Sequence, residues 1–213
     1  MTPQDASKKT AEICRMAPVV PVLVIEDAST ARPLAQALVA GGLPVLEVTL
    51  RTPAALDAIR AMAQVDGGVV GAGTLLTPED VAAAKAAGAR FGVSPGATDT
   101  LLQACEDADL PLLPGAATAS EAMRLYERGY SMLKFFPAEA AGGAPALKGI
   151  GAPIPQISFC PTGGVSVQNA PSYLSLPNVV CVGGSWVAPK DRVAAGDWTA
   201  IEALAREAAS LTA

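Results

Sequence analysis

The stretch VLEVTLRTPAALDAIRAMAQVDGGVVGAGTL, residues 45–75, carries the reading of the fold. A short β-branched run, VLEVTL (45–50), gives way to the alanine-rich segment TPAALDAIRAMAQ, and a second apolar run, VVGAGTL (69–75), follows a pair of glycines. Strand, helix, strand in that order is a βα repeat, and such repeats build parallel sheets. The pattern recurs. Eight runs read as strands: these two with VVPVLVI (19–25), FGVSP (91–95), PLLPG (111–115), MLKFFPA (132–138), ISFCPTGG (157–164) and VVCVGGS (179–185). The segments between, such as STARPLAQALVAGG, TPEDVAAAKAAGA and TASEAMRLYERGY, open on Ser or Thr caps and mostly close on glycine.

Eight such units closed on themselves make an α/β fold, a (β/α)8 TIM barrel, with the first fifteen or so residues as an extra N-terminal helix over the barrel floor. An open doubly wound sheet is the alternative. It wants a GxGxxG turn after the first strand, where VIEDAST stands instead. The 213 residues suffice for one domain, 1–213, and for a small barrel, near the usual lower end of about 200 residues.

Composition narrows the function. The chain is 51% hydrophobic and 16% charged, with net charge −5 from 15 basic and 20 acidic side chains, as suits a compact soluble protein. No block of Lys or Arg offers a track for nucleic acid, so any anion site is local. MTPQDASKKTAEICRMAP lacks the apolar core of a signal peptide, and no segment approaches the roughly 20 unbroken apolar residues of a membrane span. The expectation is a cytoplasmic protein with no membrane partner. Cys14, Cys105, Cys160 and Cys181 show no CxxC spacing and read as structural thiols. With no histidine, Ser-His-Asp and Cys-His catalysis are excluded and the usual ligands of a catalytic zinc are missing, so acid–base work falls to Glu, Asp, Lys or Tyr. No dense acidic cluster offers a magnesium site, and no metal is expected.

A barrel of this kind works at the C-terminal ends of its strands. Alternation groups Glu47, Thr49 and Arg51 on one face of VLEVTLR and Leu46, Val48 and Leu50 on the other, so the polar set points inward. The same logic groups Met132, Lys134 and Phe136, and in VVGAGTL it groups Val70, Ala72 and Thr74. An acid, an arginine, a lysine and hydroxyls thereby converge on one cavity. Alone, Lys134 fits equally a strand-end lysine reaching water or half of an ion pair. Among Met and Phe with an arginine nearby, it is expected to lose affinity for its proton, and a neutral amine is what attack on a ketone requires. Gly163–Gly164 and Gly183–Gly184, each after a strand, fit a backbone phosphate cradle with the hydroxyls of Thr162 and Ser185; plain βα turns are the alternative. Trp186 and Trp198 read as packing residues.

EVTLRT, GAGTLL, SPGAT, KFFPAEA, CPTGGV and GGSW, in order between about Val19 and Arg206, closely resemble the 2-keto-3-deoxy-6-phosphogluconate aldolase family, which includes the 4-hydroxy-2-oxoglutarate aldolases. The resemblance implies a metal-independent class I aldolase of the Entner–Doudoroff pathway, usually a homotrimer. It would cleave 2-dehydro-3-deoxy-6-phosphogluconate to pyruvate and glyceraldehyde 3-phosphate and also act on 4-hydroxy-2-oxoglutarate, with no cofactor beyond a covalent imine. By the same resemblance Lys134 is the Schiff-base lysine and Glu47 the proton-transfer carboxylate. Arg51 and Thr74 hold the pyruvate carboxylate, and Phe136 lies beside the imine. Pro95, Thr162, Gly163, Gly164, Gly184 and Ser185 bind the rest of the substrate. A phosphosugar epimerase or isomerase, or a catalytically silent phosphosugar-binding barrel, would use the same glycines but has no need of Lys134.

Overall fold

The apolar runs become parallel strands, trimmed to the residues that find a neighbour. The computed structural model describes residues 1–211. The strands are β1 (Val19–Leu23), β2 (Val45–Thr49), β3 (Val69–Gly73), β4 (Gly92–Val93), β5 (Leu112–Leu113), β6 (Gly115–Ala116), β7 (Met132–Phe135), β8 (Ser158–Pro161) and β9 (Val182–Gly184). They pair in the orders β5-β4-β3-β2-β1-β9 and β6-β7-β8. β5 and β6 are two halves of one stave, interrupted at Pro114. That residue has no N–H to give, yet its carbonyl accepts from Lys134 N at 2.9 Å and keeps the stave joined to β7. The remaining seam, between β8 and β9, is held by isolated parallel bridges at Phe159–Val179 and Thr162–Gly183. Eight staves thus close into a barrel, as the eight sequence runs require.

Alternation along the staves separates two cores. Outward residues such as Leu46, Val48, Val70, Ala72, Leu133 and Phe135 pack under the helices; inward ones, Val20, Val45, Val69, Phe91, Leu113 and Met132, fill the lower barrel with Cys160 and Cys181. Val70 and Ala72 therefore face the helices, contrary to the expected grouping. The inward set on β3 is Val69, Gly71 and Gly73. Residues without side chains carry no polarity for alternation to reveal.

Helix α1 (Pro3–Cys14) closes the floor. Its Ser7 hydroxyl accepts from Ser131 N at 2.9 Å, just before β7, and Cys14 joins the inner core. Helices α2 (Ala31–Ala40), α3 (Ala55–Met62), α4 (Pro78–Ala86), α5 (Asp99–Asp107), α6 (Ala119–Arg128), α7 (Gly143–Gly151), α8 (Ala170–Leu174), α9 (Lys190–Ala194) and α10 (Trp198–Ala209) surround the barrel. Thr77 and Thr118 form full capping boxes with Asp80 and Glu121 at α4 and α6. Two expected caps are not made. Thr52 donates to Ile25 O at 2.5 Å and does not cap α3, and Ser29 lies inside a short 3-10 turn, Ala28–Thr30, that Asp27 caps ahead of α2. At Gly41 a Cβ would come within 2.7 Å of Glu202 O, so the absence of a side chain there lets α10 lie against α2. Among the described residues, no helix is long and apolar enough to cross a membrane.

Candidate active site

Glu47 on β2 and Lys134 on β7 come from staves that are not neighbours, so their side chains meet across the interior. Lys134 Nζ donates to Glu47 Oε1 at 3.2 Å, with side-chain exposures of 6% and 3%. Burial of both charges is tolerable because each is the other's partner, and breaking such a pair leaves an uncompensated buried charge. Room for the carboxylate comes from β3. A Cβ on Gly73 would lie 2.7 Å from Glu47 Cγ and overlap the carboxylate itself.

One pleat further along β2, Thr49 Oγ1 donates to Leu23 O at 3.0 Å and serves the strand edge. Arg51 reaches the rim, exposed, and its Nε donates to Thr74 Oγ1 at 3.3 Å. Thr74 sits at φ 62°, a left-handed conformation that costs a β-branched residue energy. The turn there breaks the alternation of β3, which explains how Thr74 reaches the mouth although Val70 and Ala72 face outward.

Above Lys134 lies Phe136, its ring centroid 5.3 Å from Nζ. The ring leans on Gly163, where a Cβ would come within 3.2 Å of it. Gly163 and Gly164 have φ of 101° and 80°, and among the described residues their amides have no backbone acceptor. Two adjacent free N–H groups at a barrel mouth form a concavity suited to an anion. Thr162, buried, sits at the seam with β9, where a Cβ on Gly183 would come within 2.9 Å of its side chain. Gly183 and Gly184 thus belong to β9 itself, with the six-membered ring of Trp186 packed over Gly184, and form no turn after it. Ser185 is exposed just beyond. Pro95 lies on the far rim, its backbone against Gly115 of β6, where a Cβ would sit 2.7 Å from Gly96 N.

Three thiols, Cys14, Cys160 and Cys181, plug the barrel beneath this pair. Hydrogen bonding to Cys160, then burial, pushes the Cys14 thiol well above its usual range; bonding to Cys14 and to Cys160, then burial, does the same for Cys181. Cys105, outside the barrel, is pushed up to about 12 by burial first and by the charge of Glu106 second. All four cysteines are free and buried, in keeping with structural thiols. Among the described residues, no group of three or more His, Cys, Asp or Glu is placed to hold a metal ion.

The structure brings Glu47, Arg51, Thr74, Lys134, Phe136 and the Gly163–Gly164 loop to one end of the barrel. Sequence reasoning missed Gly73, whose signal is a missing side chain beside an acid. A parallel barrel with a buried lysine–carboxylate pair at its C-terminal mouth holds the residue types that imine chemistry on a ketone uses. The family model described as "Aldolase: KDPG and KHG aldolase" matches residues 10–204. The chain is 54% identical over 198 residues to a 2-dehydro-3-deoxy-phosphogluconate aldolase of Pseudoalteromonas atlantica, covering 92% of each chain. The crystal structure of the 2-keto-3-deoxy-6-phosphogluconate aldolase of Zymomonas mobilis with 3-phosphoglycerate superposes with a TM-score of 0.93 at 49% identity, covering 97% of each chain. That of the Legionella pneumophila KDPG aldolase, with pyruvate captured as a covalent carbinolamine, gives 0.90 at 47%, covering 94% of this chain and 98% of that one. The chain belongs to the KDPG and KHG aldolase family and is a carbon–carbon lyase.

Proposed function

We propose that Lys134 forms an imine with the C2 ketone of 2-dehydro-3-deoxy-6-phosphogluconate and that Glu47 moves the protons of the reaction. The observation that carries this is the buried Lys134–Glu47 contact at 3.2 Å across the barrel mouth. The carbinolamine captured in the Legionella relative supports the same chemistry.

Lys134 passes a proton to Glu47 across their contact and, now neutral, adds its lone pair to C2; the ketone oxygen takes a proton, and the carbinolamine loses that oxygen as water to leave a protonated imine. The C4 hydroxyl then gives up its proton, the C3–C4 bond breaks, and its electron pair flows into the imine to make an enamine. C4 departs as the aldehyde of glyceraldehyde 3-phosphate. C3 takes a proton to become a methyl group, and water hydrolyses the imine to pyruvate and free Lys134. Glu47, through water, returns its proton at each stage, so one carboxylate serves them all.

Arg51, oriented by its bond to Thr74, holds the pyruvyl carboxylate, and Phe136 covers the imine. The phosphoryl group lies on the amides of Gly163 and Gly164, with Thr162, Ser185 and Gly184 on one side and Pro95 on the opposite rim. No cofactor or metal takes part. 4-Hydroxy-2-oxoglutarate is a second substrate through its shared 2-oxo acid end. The chain works in the cytoplasm as a homotrimer; half-exposed Met123 and Tyr126, one turn apart on α6, support an apolar contact between copies.

Borohydride with pyruvate is the direct test. Irreversible inactivation with a pyruvyl adduct on the Lys134 peptide, and full activity in strong chelator, is the expected result. An adduct on another lysine would overturn the assignment.

A further inference from the structure

The glycine loop is gripped from outside by residues that the reaction itself does not use. The segment Thr162–Gly163 accepts two backbone hydrogen bonds, Ala138 N to Thr162 O at 2.8 Å and Glu139 N to Gly163 O at 3.0 Å. The side chain of Glu139 then lies across Gly164, where a Cβ would stand 2.7 Å from Glu139 Cγ and 2.8 Å from its Cβ. Glu139 Oε1 accepts a short hydrogen bond from the Tyr173 hydroxyl on α8. On the other side, Asn169 donates to Gly164 O at 3.1 Å and accepts from Ser166 N at 2.7 Å.

Tyr173 is a fixed anchor, because its side chain is fully buried. Burial first, then the hydrogen bond and negative charge of Glu139, hold its hydroxyl protonated far above its usual value, so it remains a donor. Glu139, by contrast, is exposed. A long exposed carboxylate ordinarily samples several rotamers. Here one oxygen is tied to a buried phenol while the methylenes lie across Gly164, so the rotamer is set by the core. Gly164 has no side chain to hold its own place, and its φ of 80° is open to a glycine among several alternatives.

We infer that the Tyr173–Glu139 pair is a positioning and specificity-determining device: it fixes the amides of Gly163 and Gly164 for the far, phosphorylated end of the substrate. This rests on the placement of the phosphoryl group given above. Neither residue touches the reacting carbons. Phe136 stands between Lys134 and the loop, so loosening the loop raises KM for the phosphorylated substrate and leaves the chemistry at the pyruvyl end alone.

Tyr173→Phe deletes one oxygen and keeps the ring in the core. It is expected to raise KM for 2-keto-3-deoxy-6-phosphogluconate about tenfold, the loss of one charged hydrogen bond. KM for the unphosphorylated sugar acid, and deuterium exchange into the methyl group of pyruvate, should stay within about twofold. Glu139→Gln keeps the acceptor and should behave as wild type, whereas Glu139→Ala should behave as Tyr173→Phe. Equal rises in KM for both substrates, an unchanged KM in Tyr173→Phe, or a fall in melting temperature without any KM split would overturn the device while leaving the phosphate site intact. A wild-type enzyme indifferent to the phosphoryl group would overturn the phosphate placement and the device with it.

Discussion

Gly73 faces Glu47 so closely across the inside of the barrel that one added methyl group would lie 2.7 Å from the Glu47 Cγ and overlap its carboxylate. The side chain that bonds Lys134 occupies the space a residue on the neighbouring strand has left empty. Gly73→Ala should therefore push Glu47 off Lys134, and a displacement of about 1 Å at a catalytic group is worth about 10² in rate. Steady-state kcat measures it, and overpacking should cost about 1–3 kcal/mol in chemical denaturation. A variant with wild-type kcat would show that Glu47 has freedom to move.

Glu47→Gln preserves size and much of the hydrogen bonding but removes the proton acceptor. Turnover should fall by about 10² to 10⁴, the usual worth of general acid–base catalysis. Exchange of pyruvate methyl protons with deuterated water should fall in parallel, while long incubation with pyruvate and borohydride still traps an adduct. Lys134→Ala should trap none. Wild-type exchange in Glu47→Gln would make Glu47 a mere counter-ion.

Thr74 holds Arg51 from a left-handed backbone, φ 62°. Thr74→Gly relieves strain of about 1–3 kcal/mol and loses about 0.5–1 kcal/mol to the freer unfolded chain, a net gain of about 1 kcal/mol. For a chain of this size that raises the melting temperature by about 2–4 °C. Arg51 loses its orienting hydroxyl, so KM for the 2-oxo acid should rise about tenfold. Calorimetry and kinetics on one preparation check both signs; a variant that is no more stable removes the argument for strain.

Burial predicts chemical silence for the thiols. Cys14 and Cys181 are held well above the usual thiol range and Cys105 is pushed up to about 12; Cys160, held well below that range by hydrogen bonds from Cys14 and then Cys181, is kept from reagents by burial alone. A disulfide reagent at pH 8 should titrate no cysteine in the native protein and all four in denaturant. Rapid reaction of even one native thiol would mean that the floor opens.

What could be read from sequence follows from where polarity alternates. In VLEVTLR and MLKFF the charged residues mark one face, so the inward set, and with it the convergence of Lys134 and Glu47 on one cavity, is legible in the sequence. In VVGAGTL the inward positions are Val69, Gly71 and Gly73, and glycine gives alternation nothing to detect, which reversed the assignment of Val70 and Ala72. The break at Pro114 and the use of Gly183 to seat Thr162 depend on partners about 20 residues away in sequence, Lys134 and Thr162. The Tyr173–Glu139 bond, 34 residues apart, left no local mark either.

The floor formed by α1 and the three thiols closes the lower end of the barrel, so a substrate held on Lys134 comes and goes by the upper mouth. In the proposed reaction the pyruvyl half is tethered at the bottom through Lys134, and the aldehyde half lies between it and the exit. Traffic is then last in, first out: glyceraldehyde 3-phosphate must leave before the enamine can be protonated, hydrolysed and discharged. Run backwards, pyruvate must load first, and any aldehyde that enters an empty shaft only obstructs it. The order of events follows from the geometry of a dead end, and pyruvate, the last to go, should compete with substrate for the free enzyme.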